Sequence, residues 1–207
     1  PTRRSSDPQG GLTGPPFLAY EPRVKAAVLS GAGGNMILSL LQKTEPVNIP
    51  ELVTIMLGED DSVDRFHPGL TLIQTFIEPS DAVNYGPLLI QEPPEGRGPM
   101  SVFQSQGLVD HYTPPDLIEA LGISLGLTWA EPMEQALLGF TLAGQAEPTA
   151  RPISGNMGGG EATGVFIQYP QVGDWDGHFV IFDRDDAKED YGLFFATMVN
   201  EGIPTLQ

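Results

Sequence analysis

The chain has 207 residues, and its 27 acidic residues against 10 lysines and arginines give a formal charge of −17, which repels phosphate backbones and anionic lipid head groups. Nucleic acid is therefore not an expected partner, and the absence of cysteine excludes disulfides, thiolate metal sites and cysteine nucleophiles. The length predicts one domain over residues 1–207, and no run approaches the ~18 apolar residues needed to span a bilayer.

The first predicted elements are a short helix and a buried strand. Residues 12–20 contain Pro15 and Pro16, which a helix tolerates in its first turn, so a short helix is predicted there. Residues 24–30 form a continuous apolar run that ends at a glycine-rich turn. Such a run, without strict alternation, favours a parallel strand covered on both faces by helices.

The next part of the chain, residues 35–99, has the composition of a helical cap or insert. Helices are predicted over residues 36–41 and 68–77. Residues 52–57 fit a strand or a short buried helix, and we favour the helix. Residues 87–99, rich in proline and glycine, are predicted to form a surface loop.

The second half alternates strands and helices. The predicted elements are a strand at 100–106, a helix at 116–121, a long loop at 146–160, a strand at 165–169 and a helix at 185–199. Strand-plus-helix units in series predict an α/β fold with a parallel sheet flanked by helices. Ligands of such sheets bind beyond the carboxyl ends of the strands.

Two residues fall where such a site is expected. Asp110 lies four residues past a predicted strand, and His178 lies on a loop after the next good strand. We predict that they form a catalytic pair, although Asp110 also suits a helix N-cap and His178 a simple turn. His111 is interpreted as a surface residue. The acidic stretch 58–61 is a rival acid site, but helix capping explains it as well.

Other polar clusters indicate no metal or cofactor. The acidic residues between 183 and 190 lack the alternating spacing of a calcium loop and favour a helix N-terminus instead. His67 has no second histidine at zinc spacing. Glycines 158–160 lack the strand and lysine of a phosphate loop, so a flexible connection is predicted.

The run Gln9-Gly10-Gly11 and the stretch 21–31 together resemble α/β-hydrolases related to bacterial extracellular lipases. In that family the nucleophile elbow reads Gly-x-Ser-x-Gly-Gly, so Pro8 occupies the position of the serine. The resemblance implies that the Gln9 backbone N–H is an oxyanion donor, that Asp110 is the triad acid and that His178 is the triad histidine.

The resemblance implies that the chain is the C-terminal part of a hydrolase with a partial α/β-hydrolase fold. It implies a small-molecule or lipid carboxylic ester as the substrate, and a protein that is extracellular or at the cell surface. A proline has no nucleophilic atom, and Ser5, Ser6 and Ser30 are poor substitutes by position. The chain begins with proline, so a processed product or a fragment is expected, and the resemblance implies that the first five strands of the family, the N-terminal half, lie upstream. The open strand edge of an isolated C-terminal half would favour a homo-oligomer. The alternative is a non-catalytic binding protein that keeps the hydrolase scaffold. The apolar residues Phe66, Leu70, Ile73 and Phe76 fit an acyl pocket or ordinary core packing.

Overall fold

A four-stranded parallel sheet forms the centre of the computed structural model, which describes residues 8–58 and 63–207. Its strand order is β1-β2-β5-β3, and a separate antiparallel pair joins β4 to β6. The strands are β1 (Ala26–Ser30), β2 (Ser101–Gly107), β3 (Thr128–Trp129), β4 (Ile153–Ser154), β5 (Gly164–Tyr169) and β6 (Thr205–Leu206).

Nine α-helices lie among the described residues. They are α1 (Pro8–Tyr20), α2 (Met36–Gln42), α3 (Ile49–Leu57), α4 (Pro68–Ile77), α5 (Gly86–Ile90), α6 (Pro115–Leu125), α7 (Leu138–Leu142), α8 (Val180–Asp183) and α9 (Asp185–Glu201). Short 3-10 turns occur at Glu78–Ser80, Ala82–Tyr85, Gly158–Gly160 and Gly177–Phe179. In the part of the chain that the structure describes, no helix is long and apolar enough to cross a membrane.

The sheet is buried on both faces, as the continuous apolar strands predict. On one face Val102 and Phe166 pack with Ile118 and Leu121 of α6. On the other face the core includes residues of β2, β5, α8 and α9, among them Phe103, Ile167, Ile181 and Phe194. The predicted α/β class, with a parallel sheet flanked by helices, is confirmed.

The start of α1 corrects one prediction. The helix begins at Pro8 rather than at residue 12, so Pro15 and Pro16 lie in its interior and remove two backbone hydrogen-bond donors. Gly11 lies so close to the next turn that a Cβ atom there would stand 2.6 Å from the Gly31 carbonyl oxygen. Gly11 is therefore a helical residue at a close contact.

The predicted loop at 87–99 is wrong over its first residues, which belong to α5. Pro87 lies in the first turn of this helix, where its fixed φ favours the helical conformation. Leu89 and Ile90 are fully buried in the core, and this burial stabilises the short helix. The ambiguous stretch 52–57 is helical, as favoured, and lies in α3.

The helical region between β1 and β2 does not assemble the proposed acyl pocket. The side chains of Phe66 and Phe76 are exposed to 80% and 87%, whereas Leu70 is fully buried. The prediction that these residues pack as ordinary core holds for Leu70 only. The rival acid stretch 58–61 falls mostly outside the described residues.

Candidate active site

Asp110 and His178, which lie 68 residues apart in the sequence, form a buried hydrogen-bonded pair. The Nδ1 atom of His178 is 2.9 Å from Oδ2 of Asp110. Their side chains are only 2% and 1% exposed. The two residues follow β2 and β5, which are neighbours in the parallel sheet, so their loops meet at the carboxyl edge. The predicted pair is thus brought together.

A turn just after β2 fixes the Asp110 carboxylate. Its Oδ1 atom accepts hydrogen bonds from the backbone N–H groups of Tyr112 (2.9 Å) and Thr113 (2.6 Å), which leaves Oδ2 for His178. Burial raises the pKa of the Asp110 carboxyl, and the hydrogen bonds from His178 and Thr113 oppose that effect. Asp110 does not cap α6, which begins at Pro115 after an N-cap at Pro114.

Aromatic rings enclose the His178 imidazole. The ring of Tyr112 stacks on it with a centroid separation of 5.0 Å, and Phe179 contacts it edge-on at 5.3 Å. Because Nδ1 lies against the Asp110 carboxylate, we assign the ring proton to Nδ1, where it is shared with that carboxylate. Nε2 is then the hydrogen-bond acceptor of the ring. A neutral histidine held in this tautomer is suited to act as a general base.

One glycine allows the imidazole to lie against the end of β1. Gly31 has a φ of 59°, and its carbonyl oxygen accepts a 2.8 Å hydrogen bond from the buried hydroxyl of Thr113. A Cβ atom on Gly31 would stand 2.7 Å from His178 Nδ1. The loops after β1, β2 and β5 therefore contact one another at the site.

His178 lines a cavity of about 410 Å³ that is mostly apolar. The N-terminal end of α1 contributes Gly10 and Gly11 to the same cavity, and Ser30 lies in its wall. Further apolar lining comes from Val28, Leu29, Ala32, Ile181, Phe182, Tyr191 and Phe195.

Comparison with known proteins identifies no relative of this chain. No family model, curated protein or solved structure matches it. The α/β class therefore stands on the sheet and helices themselves, and the hydrolase resemblance remains a hypothesis based on residues.

The other candidate residues lie apart from this pair or have structural roles. The Nδ1 atom of His67 accepts from Gly69 at the start of α4, and Asp185 and Asp186 lie in the first turn of α9. Over residues 8–58 and 63–207, no group of three or more histidine or acidic side chains has a geometry that could hold a metal ion. Ser5 and Ser6 lie outside the described residues.

Four neighbours of the pair were not predicted from the sequence: Gly31, Thr113, Asp176 and the partly exposed His111. His111 was interpreted only as a surface residue, yet its ring binds Asp176. An acidic residue two positions before a site histidine is a cue for Asp176, because such a residue can bond the histidine backbone N–H. No sequence signal pointed to Gly31 beyond its place at a strand end.

Proposed function

We propose that this chain carries the acid and histidine of a serine-type carboxylic ester hydrolase, with Pro8 at the position of the nucleophile. The observation that supports it is the buried 2.9 Å contact between His178 and Asp110, with His178 lining a cavity that the start of α1 also borders. This is the arrangement in which a carboxylate orients a histidine toward a nucleophile.

Each group would have a defined task. His178 Nε2 would accept the proton of a hydroxyl as its oxygen attacks the ester carbonyl carbon, and would return that proton to the leaving alcohol. Asp110 would keep the Nδ1 proton in place and stabilise the transient imidazolium. Backbone N–H groups at Gln9 and Gly10 would donate to the carbonyl oxygen as it becomes negative. The apolar walls of the cavity suit an acyl chain.

The hydroxyl that this mechanism needs is not supplied by position 8, because a proline side chain has no nucleophilic atom. Loss of the nucleophile of a triad costs on the order of a millionfold in a worked protease case. We therefore expect the chain to hydrolyse activated esters slowly, with His178 acting as a base toward water.

Installing the missing hydroxyl tests the proposal. Pro8→Ser is compared with Pro8→Ala, which removes the proline without adding a hydroxyl. The expected result is that only Pro8→Ser is labelled by a serine-directed phosphonate, and that its hydrolysis of a short p-nitrophenyl ester rises at least about tenfold. Both gains should vanish when His178→Ala is added. Equal labelling and equal rates in Pro8→Ser and Pro8→Ala would contradict the proposal.

The second candidate is a non-catalytic binding protein, which is favoured by the proline at position 8, since its side chain has no nucleophilic atom. It predicts that the unchanged chain binds a medium-chain fatty acid in the apolar cavity and that His178→Ala leaves its residual esterase rate unchanged. Calorimetry with the fatty acid and rate measurements on both proteins separate the two functions. Ile181→Glu, which places a charge in the cavity wall, is the control for binding there.

A further inference from the structure

A second carboxylate, outside the Asp110–His178 pair, binds both loops that carry the pair. Oδ1 of Asp176 accepts the backbone N–H of His178 at 2.9 Å. Its other oxygen lies 2.7 Å from Nδ1 of His111, and the backbone N–H of His111 points at both oxygens at 3.3 Å. One side chain thus holds the residue after Asp110 and the backbone of His178 together.

The backbone makes a second connection beside the first. The N–H of Gly177 donates to the carbonyl oxygen of Val109 at 2.5 Å. A Cβ atom on Gly177 would stand 2.6 Å from that same oxygen, and one on Gly107 would clash with the Gly177 carbonyl. The loops are therefore in contact with no room for side chains between them.

The two connections surround the pair in the sequence. Val109 and His111 flank Asp110 on either side, and Asp176 and Gly177 immediately precede His178. A movement of one loop relative to the other would change the distance between Nδ1 of His178 and Oδ2 of Asp110, and both connections oppose such a movement. The Gly177 connection is made by the backbone, whereas the Asp176 connection depends on a side chain and can be removed by substitution.

We propose that Asp176, together with His111, is a positioning residue that fixes the distance between Asp110 and His178. The geometric part of this inference stands by itself, and its effect on catalysis rests on the proposed function. Asp176 is 15% exposed and His111 is 53% exposed, so the contact lies at the outer rim of the buried pair. Neither Asp176 nor His111 lines the cavity that His178 lines.

A simpler role for Asp176 is the N-cap of the 3-10 turn Gly177–Phe179, since its side chain accepts from the His178 N–H. Two substitutions separate capping from positioning. Asp176→Ser keeps a hydroxyl that can cap the turn but is too short to reach His111. His111→Ala removes the 2.7 Å contact of the ring with Asp176, keeps the longer backbone contacts at 3.3 Å and leaves the cap intact. Asp174→Ala, in the same loop, is the charge-matched control for the loss of one carboxylate.

The measurement is the exchange with water of the His178 Nδ1 proton, followed by NMR with labelled histidine. A proton shared with a buried carboxylate is protected, and its exchange reports each opening of the pair. We expect Asp176→Ser and His111→Ala to speed this exchange about tenfold and the double variant to add little more, because both remove the contact between the Asp176 carboxylate and the His111 ring. Asp174→Ala should match the unchanged protein.

Exchange in both single variants at the rate of the Asp174→Ala control would overturn the positioning role, whether or not the protein hydrolyses esters. If Asp176→Ser does not fold, His111→Ala decides alone. The catalytic arm is separate: in the Pro8→Ser background, either substitution should lower kcat by up to about 100-fold with little change in KM, since small misplacements of reacting groups are costly. Failure of Pro8→Ser to hydrolyse esters would count against the proposed function only.

Discussion

Gly31 lies in van der Waals contact with the imidazole ring of His178, and no other residue type fits this place without a shift. Its backbone has a φ of 59°, and a Cβ atom would stand 2.7 Å from Nδ1 and 3.2 Å from Nε2. The end of β1 therefore sets how far the histidine ring can move toward the cavity.

Gly31→Ala should disturb the pair and the fold together. The added methyl group must displace the His178 ring, and an L-residue at this φ costs about 1–2 kcal/mol by itself. We expect the free energy of unfolding to fall by about 2 kcal/mol or more in urea titrations, and the protection of the His178 Nδ1 proton to be lost. Gly192→Ala in α9, which has open space around it, should be neutral or stabilising by up to about 1 kcal/mol. Equal stability of the two variants would contradict the close contact.

Asp110→Asn should reverse the His178 tautomer with little loss of stability. The amide oxygen can still accept from the Tyr112 and Thr113 N–H groups, but its NH₂ group then faces Nδ1. Nδ1 must become the acceptor, and the proton moves to Nε2, which can no longer act as a base. Nitrogen NMR of the labelled histidine should show that the ring proton has moved from Nδ1 to Nε2. Any His178-dependent ester hydrolysis should fall to the level of His178→Ala. A protonated Nδ1 in the variant would refute this assignment.

Tyr169 should make the protein sensitive to alkaline pH. Its buried hydroxyl donates to Asp190 Oδ2 at 2.6 Å, and burial together with this carboxylate raises the pKa of Tyr169 far above its usual range. The folded state therefore keeps a proton that the unfolded chain loses near pH ~10. The resulting stability is fully present below that pH and is lost as the pH rises, by up to about 1.4 kcal/mol per unit.

The matched variant is Tyr169→Phe. Urea titrations at about pH 8 should find it less stable than the unchanged protein by about 1–2 kcal/mol, because Asp190 loses a donor. Above pH ~10 the difference should shrink, since phenylalanine does not titrate. A difference that stays constant with pH would mean that the hydroxyl is not the group responsible.

Asp81 organises the helical region between β1 and β2. Its side chain is fully buried and accepts from the backbone N–H groups of Asn35 and Met36, each at 2.8 Å, and from the Gln74 amide at 3.1 Å. In Asp81→Asn an NH₂ group replaces one acceptor and faces a backbone donor. We expect a loss of about 2 kcal/mol or more in the free energy of unfolding.

The control for Asp81 is Asp185→Asn, since the Asp185 side chain is 98% exposed. This substitution should change stability by no more than about 0.5 kcal/mol. Chemical denaturation of both variants checks the contrast. Similar small losses in the two proteins would show that the buried acceptor is replaceable.

The strands and the central pair were predictable because their signals are local. Local patterns of five to seven residues specified three strands of the sheet, and their order along the chain placed Asp110 and His178 at one edge. The first strand begins at Ala26 rather than at residue 24 because its pairing with β2 starts between Ala26 and Ser101. Lys25 contributes only its carbonyl oxygen, which accepts from the Ser101 N–H. Strand ends depend on the partner strand, which the sequence of one strand does not specify.

The start of α1 and the support of the pair were not predictable for a different reason. Gly10 and Gly11 are typical of a turn, and only the close approach of Gly11 to Gly31 makes glycine suitable inside a helix. Asp176 and His111 look like ordinary surface residues until the two loops meet. Such roles depend on contacts between distant segments. The hydrolase resemblance, which rests on motif order, stays a prediction.

The strand order has a consequence for how the molecule opens. Asp110 and His178 follow β2 and β5, which are each paired on both sides, whereas β1 lies at one end of the sheet and forms a wall of the cavity. Interior strands are usually the last to lose protection in local unfolding, and peripheral ones open at lower free energy. A molecule that has released β1 would have lost the wall of its cavity while its acid–histidine pair was still assembled.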